Sequence, residues 1–222
     1  VPEQAVDLGQ LYRETRTRIT GMVESLREAD LDRPVPACPE WLVRDLLAHV
    51  VGGAEDIVSG RLQGPPTEEV TEAQLRRHRR EHSPDLVAAW CEWSAVLEPM
   101  IAAARAWTPI LDLVSHEHDL RGALGVAGAR TSAAVVRGVE ALCLRAEPLP
   151  VPVRVVWGDG EGVLDGAGDG ELVVVSSRFE TLRWRLGRRS RRQILQYEWS
   201  ADPAAVIESL AVFGPAGTDL IE

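Results

Sequence analysis

Apolar positions along the first two-thirds of the chain recur at helical spacing. Val6, Leu8, Leu11, Ile19, Val23 and Leu26 predict an amphipathic helix over positions 4–27. Pro34, Pro36 and Pro39 then break the chain. A second helix is predicted from Pro39, because a proline in the first helical turn gives up an N–H that has no partner there. It carries Trp41, Leu42, Leu46, Leu47, His49 and Val50 and runs to about position 62. Positions 63–84 are polar and charged, with Pro65-Pro66 and a basic run at 76–80, and carry no predicted helix. Ser83-Pro84 reads as a cap and first-turn proline. The third helix follows through Leu86, Val87, Trp90, Trp93, Val96, Leu97 and Met100 to about position 105. A fourth opens at Pro109 and passes through Leu113, His116 and Leu120 to Leu124, where Gly125 can stop it. A fifth is predicted over 132–145 on Val135, Val139 and Leu142.

At Pro148-Leu149-Pro150 the period changes. Positions 151–157 and 171–176 are β-branched runs around a Gly- and Asp-rich turn region, and they predict strands. A short helix over 179–186, an extended stretch over 194–199 and a closing helix over 203–212 complete the pattern. The fold class expected is α+β, with a helical bundle over 1–147 followed by a small α/β domain over 148–222.

Composition narrows the function. The chain has 222 residues, 45% hydrophobic and 26% charged, which are ordinary globular values and exclude a disordered or collagen-like chain. A net charge of −10 makes nucleic acid or an anionic membrane surface a poor partner, so the basic runs at 76–80 and 188–192 read as solvated faces or contacts to small anions. Three scattered Cys without a C-x-x-C pair point away from a disulfide framework and toward a reducing cytoplasm. No uninterrupted apolar run approaches the ~18 residues of a membrane span, and the N-terminus lacks the basic start and apolar centre of a signal peptide. A cytoplasmic monomer or homodimer acting on a small molecule is expected. The glycines at 158–170 lack a P-loop's Lys-Ser/Thr ending and an EF-hand's spacing, and no Gly-x-Ser-x-Gly elbow is present.

The segment Asp112-Leu-Val-Ser-His116-Glu-His118-Asp119-Leu-Arg121 carries the most chemistry. On a helix Asp112, His116 and Asp119 share one face, and a carboxylate and an imidazole one turn apart can hold one metal ion. His118 stands ~200° around the helix from His116, so only one of the two can face a common site. His49, on the predicted core face of the second helix, is the candidate third ligand. Two imidazoles and a carboxylate with an open position form a catalytic divalent-metal pattern. The same spacing also suits a hydrogen-bonded core histidine beside a surface Asp–His pair, and spacing alone does not choose. Asp119 could orient His116 from behind, or pair with Arg121 or solvent. Cys38 and the tryptophans read as packing, and Glu55 and Asp56 as a solvated face.

The stretch from Cys38 through Trp41 and Asp45 to His49 resembles a signature of the mycothiol-dependent maleylpyruvate isomerase family, related to DinB-like metal-binding bundles. Asp112, His116, Asp119, Arg121 and Ala123-Leu124-Gly125 resemble its second signature, and positions 179–190 and 212–215 its small C-terminal domain. The resemblance implies a four-helix DinB-type bundle holding a divalent metal, usually zinc, on His49, Asp112 and His116. The family usually carries Glu at the position of Asp112. It further implies mycothiol or another low-molecular-weight thiol as co-substrate, deprotonated by the metal and able to add to a small electrophilic substrate. The outcome would be S-transfer, or isomerisation when the thiol adds, a bond rotates and the thiol leaves. Asp119 and Arg121 are the candidate catalytic helpers, and Arg121, with Arg188 or Arg189, the candidates to hold an acidic substrate or the thiol's polar groups by bidentate hydrogen bonds. A thiol-independent metal enzyme using water and a non-catalytic binding module are the alternatives.

Overall fold

The computed structural model describes residues 6–62, 64–144 and 148–222. They fall into two compact units, Val1–Ala127 and Gly128–Glu222. In the first unit α1 (Leu8–Val23), α2 (Val43–Val58), α4 (Ser83–Ala104) and α5 (Thr108–Leu124) form a four-helix bundle. Both α1 and α2 pack against α4 and α5, and α3 (Glu68–His78) lies against α2. Ile19, Leu46, Leu97, Ile110, Leu113 and Leu120 are buried in the first unit. Each such burial contributes about 1.5–3 kcal/mol.

Local signals set the helix ends. The Asp7 carboxylate accepts from the Gln10 N–H, Pro84 and Pro109 sit in first turns, and Gly125 ends α5 in the left-handed conformation at φ 69°. Two expectations shift. Helix α2 starts at Val43 rather than Pro39, because the Asp45 carboxylate accepts the Leu42 N–H at 3.0 Å and fixes the first turn there. The polar segment 63–84 holds α3, capped by Thr67, with Glu68 and Glu69 in its first turn and Arg76, Arg77 and His78 in its last. Those charges complement the helix dipole. Helix α4 is also long and apolar enough to cross a membrane, by length and composition, although Leu86, Trp90, Ser94, Leu97 and Ile101 are buried.

In the second unit β1 (Val153–Trp157) is central to a sheet of order β2-β1-β3-β4. It pairs antiparallel with β2 (Gly160–Leu164) and parallel with β3 (Leu172–Val175), whose other edge takes β4 (Glu198–Trp199) antiparallel. Val153, Val155 and Trp157 alternate inward along β1. Helix α6 (Ala133–Leu144) packs on α7 (Arg178–Arg185) and β2, and its Val139 and Cys143 enter the same core as Leu149, Val155 and Trp184. The second unit therefore begins at Gly128, ahead of the 147/148 boundary read from composition, and residues 145–147 at that boundary lie outside the described ones. Periodicity marks α6 as having a buried face but says nothing about which partner covers it. The short α8 (Arg191–Ile194) and α9 (Ile207–Leu210) close the unit.

Candidate metal centre

Helices α2 and α5 bring three predicted side chains together. His49 Nε2 lies 3.6 Å from Asp112 Oδ2, and His116 Nε2 lies 3.5 Å from Asp112 Oδ1. One ligand atom from each residue falls within 4.8 Å of the others. Two ligands each ~2.0–2.1 Å from a tetrahedral ion are ~3.4 Å apart, so the observed spacings suit a zinc-sized cation. Asp112 thus reaches to within 3.6 Å of both imidazoles. Both imidazoles are buried, whereas the Asp112 side chain is 43% exposed and forms the open side of the group. Trp41 stacks 5.9 Å from the His116 ring and packs 5.1 Å from the His49 ring, walling the site.

Partners behind each imidazole turn it toward the group. The Gln74 side-chain amide donates from Nε2 to Asp56 Oδ2 at 2.9 Å, so its Oε1, 2.9 Å from His49 Nδ1, is the acceptor. His49 therefore carries its proton on Nδ1 and presents the Nε2 lone pair to Asp112. Asp56 is in turn held by Arg61 at 2.7 Å and Arg77 at 2.6 Å. Burial works against its charge, but Arg77, Gln74 and Arg61 outweigh it and keep the carboxyl below its usual range. Gly52 makes this possible, since a Cβ there would stand 2.7 Å from the Gln74 Cβ. On α5, Asp119 Oδ2 lies 3.1 Å from His116 Nδ1 and accepts a 3.4 Å hydrogen bond from Cys38 Sγ. Cys38, Asp119 and His116 form a second group with metal-ligating atoms, but every member is buried.

Asp56 is thus a correction to the solvated face expected of it, being only 2% exposed. Gln74 had no place in the expected site because it sits on the unpredicted α3. The Thr67 cap with acids first and bases last was the signal that could have revealed it.

Partial burial disfavours charge on Asp112, but the His116 charge, with the His49 imidazole close by, outweighs it and holds the carboxyl well below the usual range. Burial likewise disfavours the His116 imidazolium, and Asp112, Asp119 and Cys38 outweigh it, raising that group well above the ordinary histidine value. A lowered acid stabilises the fold above its unfolded value near ~3.9, and a raised base does so below its unfolded value near ~6.5. The metal-free protein should therefore draw the full stabilisation of this pair between about pH 4 and 6.5. It is lost as pH falls through the Asp112 value and as pH rises through that of His116. Thermal unfolding of chelator-treated protein across pH measures this, and a His116→Asn variant should lose the alkaline limb.

The other expected residues have partners of their own. Arg121 pairs at 2.9 Å with the buried Glu117, which also takes two hydrogen bonds from Arg18, and donates to the Ala127 carbonyl. Arg188 and Arg189 belong to the second unit. Arg189 bonds both Glu180 oxygens and Glu222, and Arg188 donates to the Leu186 carbonyl. His118 is buried but joins neither metal-ligating group.

A family model described as the mycothiol maleylpyruvate isomerase N-terminal domain matches residues 12–142. Two solved structures share the fold. One is a histidine-to-alanine mutant of the mycothiol-dependent maleylpyruvate isomerase, at 13% identity and TM-score 0.60. The other is a crystal structure of the mycothiol-dependent maleylpyruvate isomerase, at 13% identity and TM-score 0.55. Each alignment covers 90% of this chain and 93% of the other. No curated protein matches the chain.

Proposed function

This chain belongs to the mycothiol maleylpyruvate isomerase N-terminal domain family, and from that premise we propose that it is a divalent-metal enzyme. In this reading it uses a mycothiol-like thiol to isomerise, or transfer sulfur to, a small electrophilic substrate. The observation that carries the reading is the convergence of His49 and His116 Nε2 on the two oxygens of Asp112. A divalent ion there, zinc by its nitrogen and oxygen donors, would supply a Lewis acid that lowers the pKa of a bound thiol. Gln74 holds the His49 proton on Nδ1, and Asp119 braces His116 from its far side. Trp41 keeps water from the flank of both rings. The exposed side of Asp112 supports an open position for thiol and substrate, which the fully buried Cys38–Asp119–His116 group lacks. Arg121, turned to Glu117, takes the part of a structural brace in this scheme, as does Arg189 with Glu180 and Glu222.

The test is metal content by elemental mass spectrometry before and after zinc loading, followed by turnover of an electrophile such as maleylpyruvate with and without mycothiol. About one ion per chain and thiol-dependent turnover support the reading. No retained ion counts against the metal centre, and turnover without thiol counts against thiol use. Because metal ligands must be neutral imidazoles, zinc uptake at pH 7 should release a proton from His116, and affinity should rise with pH. Calorimetry in buffers of different ionisation enthalpy would read that proton. His118→Ala should leave metal content unchanged, since His118 belongs to neither ligand group.

A further inference from the structure

The first unit has an open surface pocket of about 360 Å³ bordered by α1, the chain near Asp30 and Arg33, and the end of α5. This size lies within the ~300–1,000 Å³ range of small-ligand pockets. Three arginines, Arg18, Arg33 and Arg121, are among its lining residues. Arg121 stands ~140° around α5 from His116, so the pocket is separate from the metal centre.

The arginines are not equivalent. Arg18 and Arg121 are locked on Glu117, a carboxylate with no solvent exposure, through bonds of 2.7–3.1 Å. That fixes their position before any ligand arrives, which lowers the entropy lost on binding. Arg33 is different. It stands 3.8 Å from Asp30, beyond hydrogen-bond reach, and Asp30 is already engaged by Arg27 at 3.0 Å. Three lining cations against Glu117 and Asp30 leave positive charge uncompensated in a chain whose net charge is −10.

Met22, Leu26, Leu124 and Val126 give the rest of the wall an apolar stretch, beside Ser25 and Asp30. Gly21 borders the same space in the last turn of α1. A glycine inside a helix is disfavoured relative to alanine. Here no atom lies within 4 Å of where its Cβ would be, so packing does not require it. What the missing side chain does is leave the pocket open.

We propose that this pocket binds a small monocarboxylate with an apolar body. The carboxylate sits among Arg33, Arg18 and Arg121, and the hydrocarbon lies against Met22 and Leu124. A single negative charge answers the positive excess, and the apolar wall answers the body. The assignment does not rest on the metal-centre reading.

Isothermal titration of the full chain with benzoate, and with benzyl alcohol as its uncharged counterpart, tests it. Saturable binding of benzoate alone is expected. Arg33→Ala should weaken it at least ~10-fold by removing the least engaged guanidinium, and Gly21→Leu should abolish it by filling the space. Neither change touches the Glu117 ion pairs, and circular dichroism checks the fold. If Gly21→Leu does not fold, Arg33→Ala decides. No saturation by about 10 mM overturns the proposal, as do equal binding of benzyl alcohol and benzoate binding unchanged by Arg33→Ala. Benzoate binding lost in His49→Ala but kept in Arg33→Ala places the ligand at the metal centre and overturns it too.

Discussion

Replacing His116 with alanine should leave the purified protein unable to retain a divalent ion through desalting, while its far-ultraviolet circular dichroism stays that of the parent. Loss of an outer hydrogen-bond partner of a ligand lowers metal affinity ~10–100-fold, and removing the ligand itself should exceed that range. The fold should survive because the first unit's core rests on apolar side chains such as Ile19, Leu46, Trp90, Leu97, Ile110 and Leu120. His116→Ala also removes an imidazolium facing both Asp112 and Asp119. The metal-free variant should therefore lose the stabilisation that the parent shows in weak acid. His49→Ala should lose metal in the same way. A His116→Ala protein that keeps one ion per chain would break the three-residue assignment. If Cys38→Ala then removed that ion, the buried Cys38–Asp119–His116 group would be the true centre.

The second large effect is expected at Gln74, which touches neither Asp112 nor His116. Gln74→Leu removes the acceptor of the His49 Nδ1 proton and the donor to the buried Asp56. Leaving His49 Nδ1 and Asp56 Oδ2 without this partner costs ~1–3 kcal/mol for a buried polar atom, while Arg61 and Arg77 still hold the other Asp56 oxygen. With its tautomer no longer held, His49 should lose ~10–100-fold of the site's metal affinity. Competition with a chromophoric chelator reads the affinity, and urea unfolding reads the stability. Gly52→Val should act in the same direction from the other helix, since its Cβ would drive into the Gln74 side chain and push α3 away from α2. Unchanged metal affinity in Gln74→Leu would reduce the His49–Gln74–Asp56 chain to packing.

Helix-local features were legible from the chain. The i, i+4 pair Asp112–His116 and the i+7 Asp119 share a face of α5 because 3.6 residues make a turn, whatever surrounds the helix. Proline in the first turns of α4 and α5, Gly125 after α5 and the β-branched runs of β1 and β3 act over a few residues, and each appears in the structure close to its predicted place. The helix α3 was obscured because its surface is charged and Pro65-Pro66 precedes it. Its stability comes from its cap, its charge order and its packing on α2, of which only the last is invisible in sequence.

What the chain determined by itself was therefore the fold class, the helices that carry the candidate ligands and the order of those ligands along α5, since short-range periodicity and capping decide them. The tertiary structure decided the rest. It brought His49 of α2 onto Asp112, buried Asp56 under Arg61, Arg77 and Gln74, and placed α6 in the second unit. It also turned Arg121 to Glu117 and placed it among the residues that line the pocket with Arg18 and Arg33. Each of these depends on which apolar face covers which, and on a buried charge having to find a partner wherever the packing leaves one.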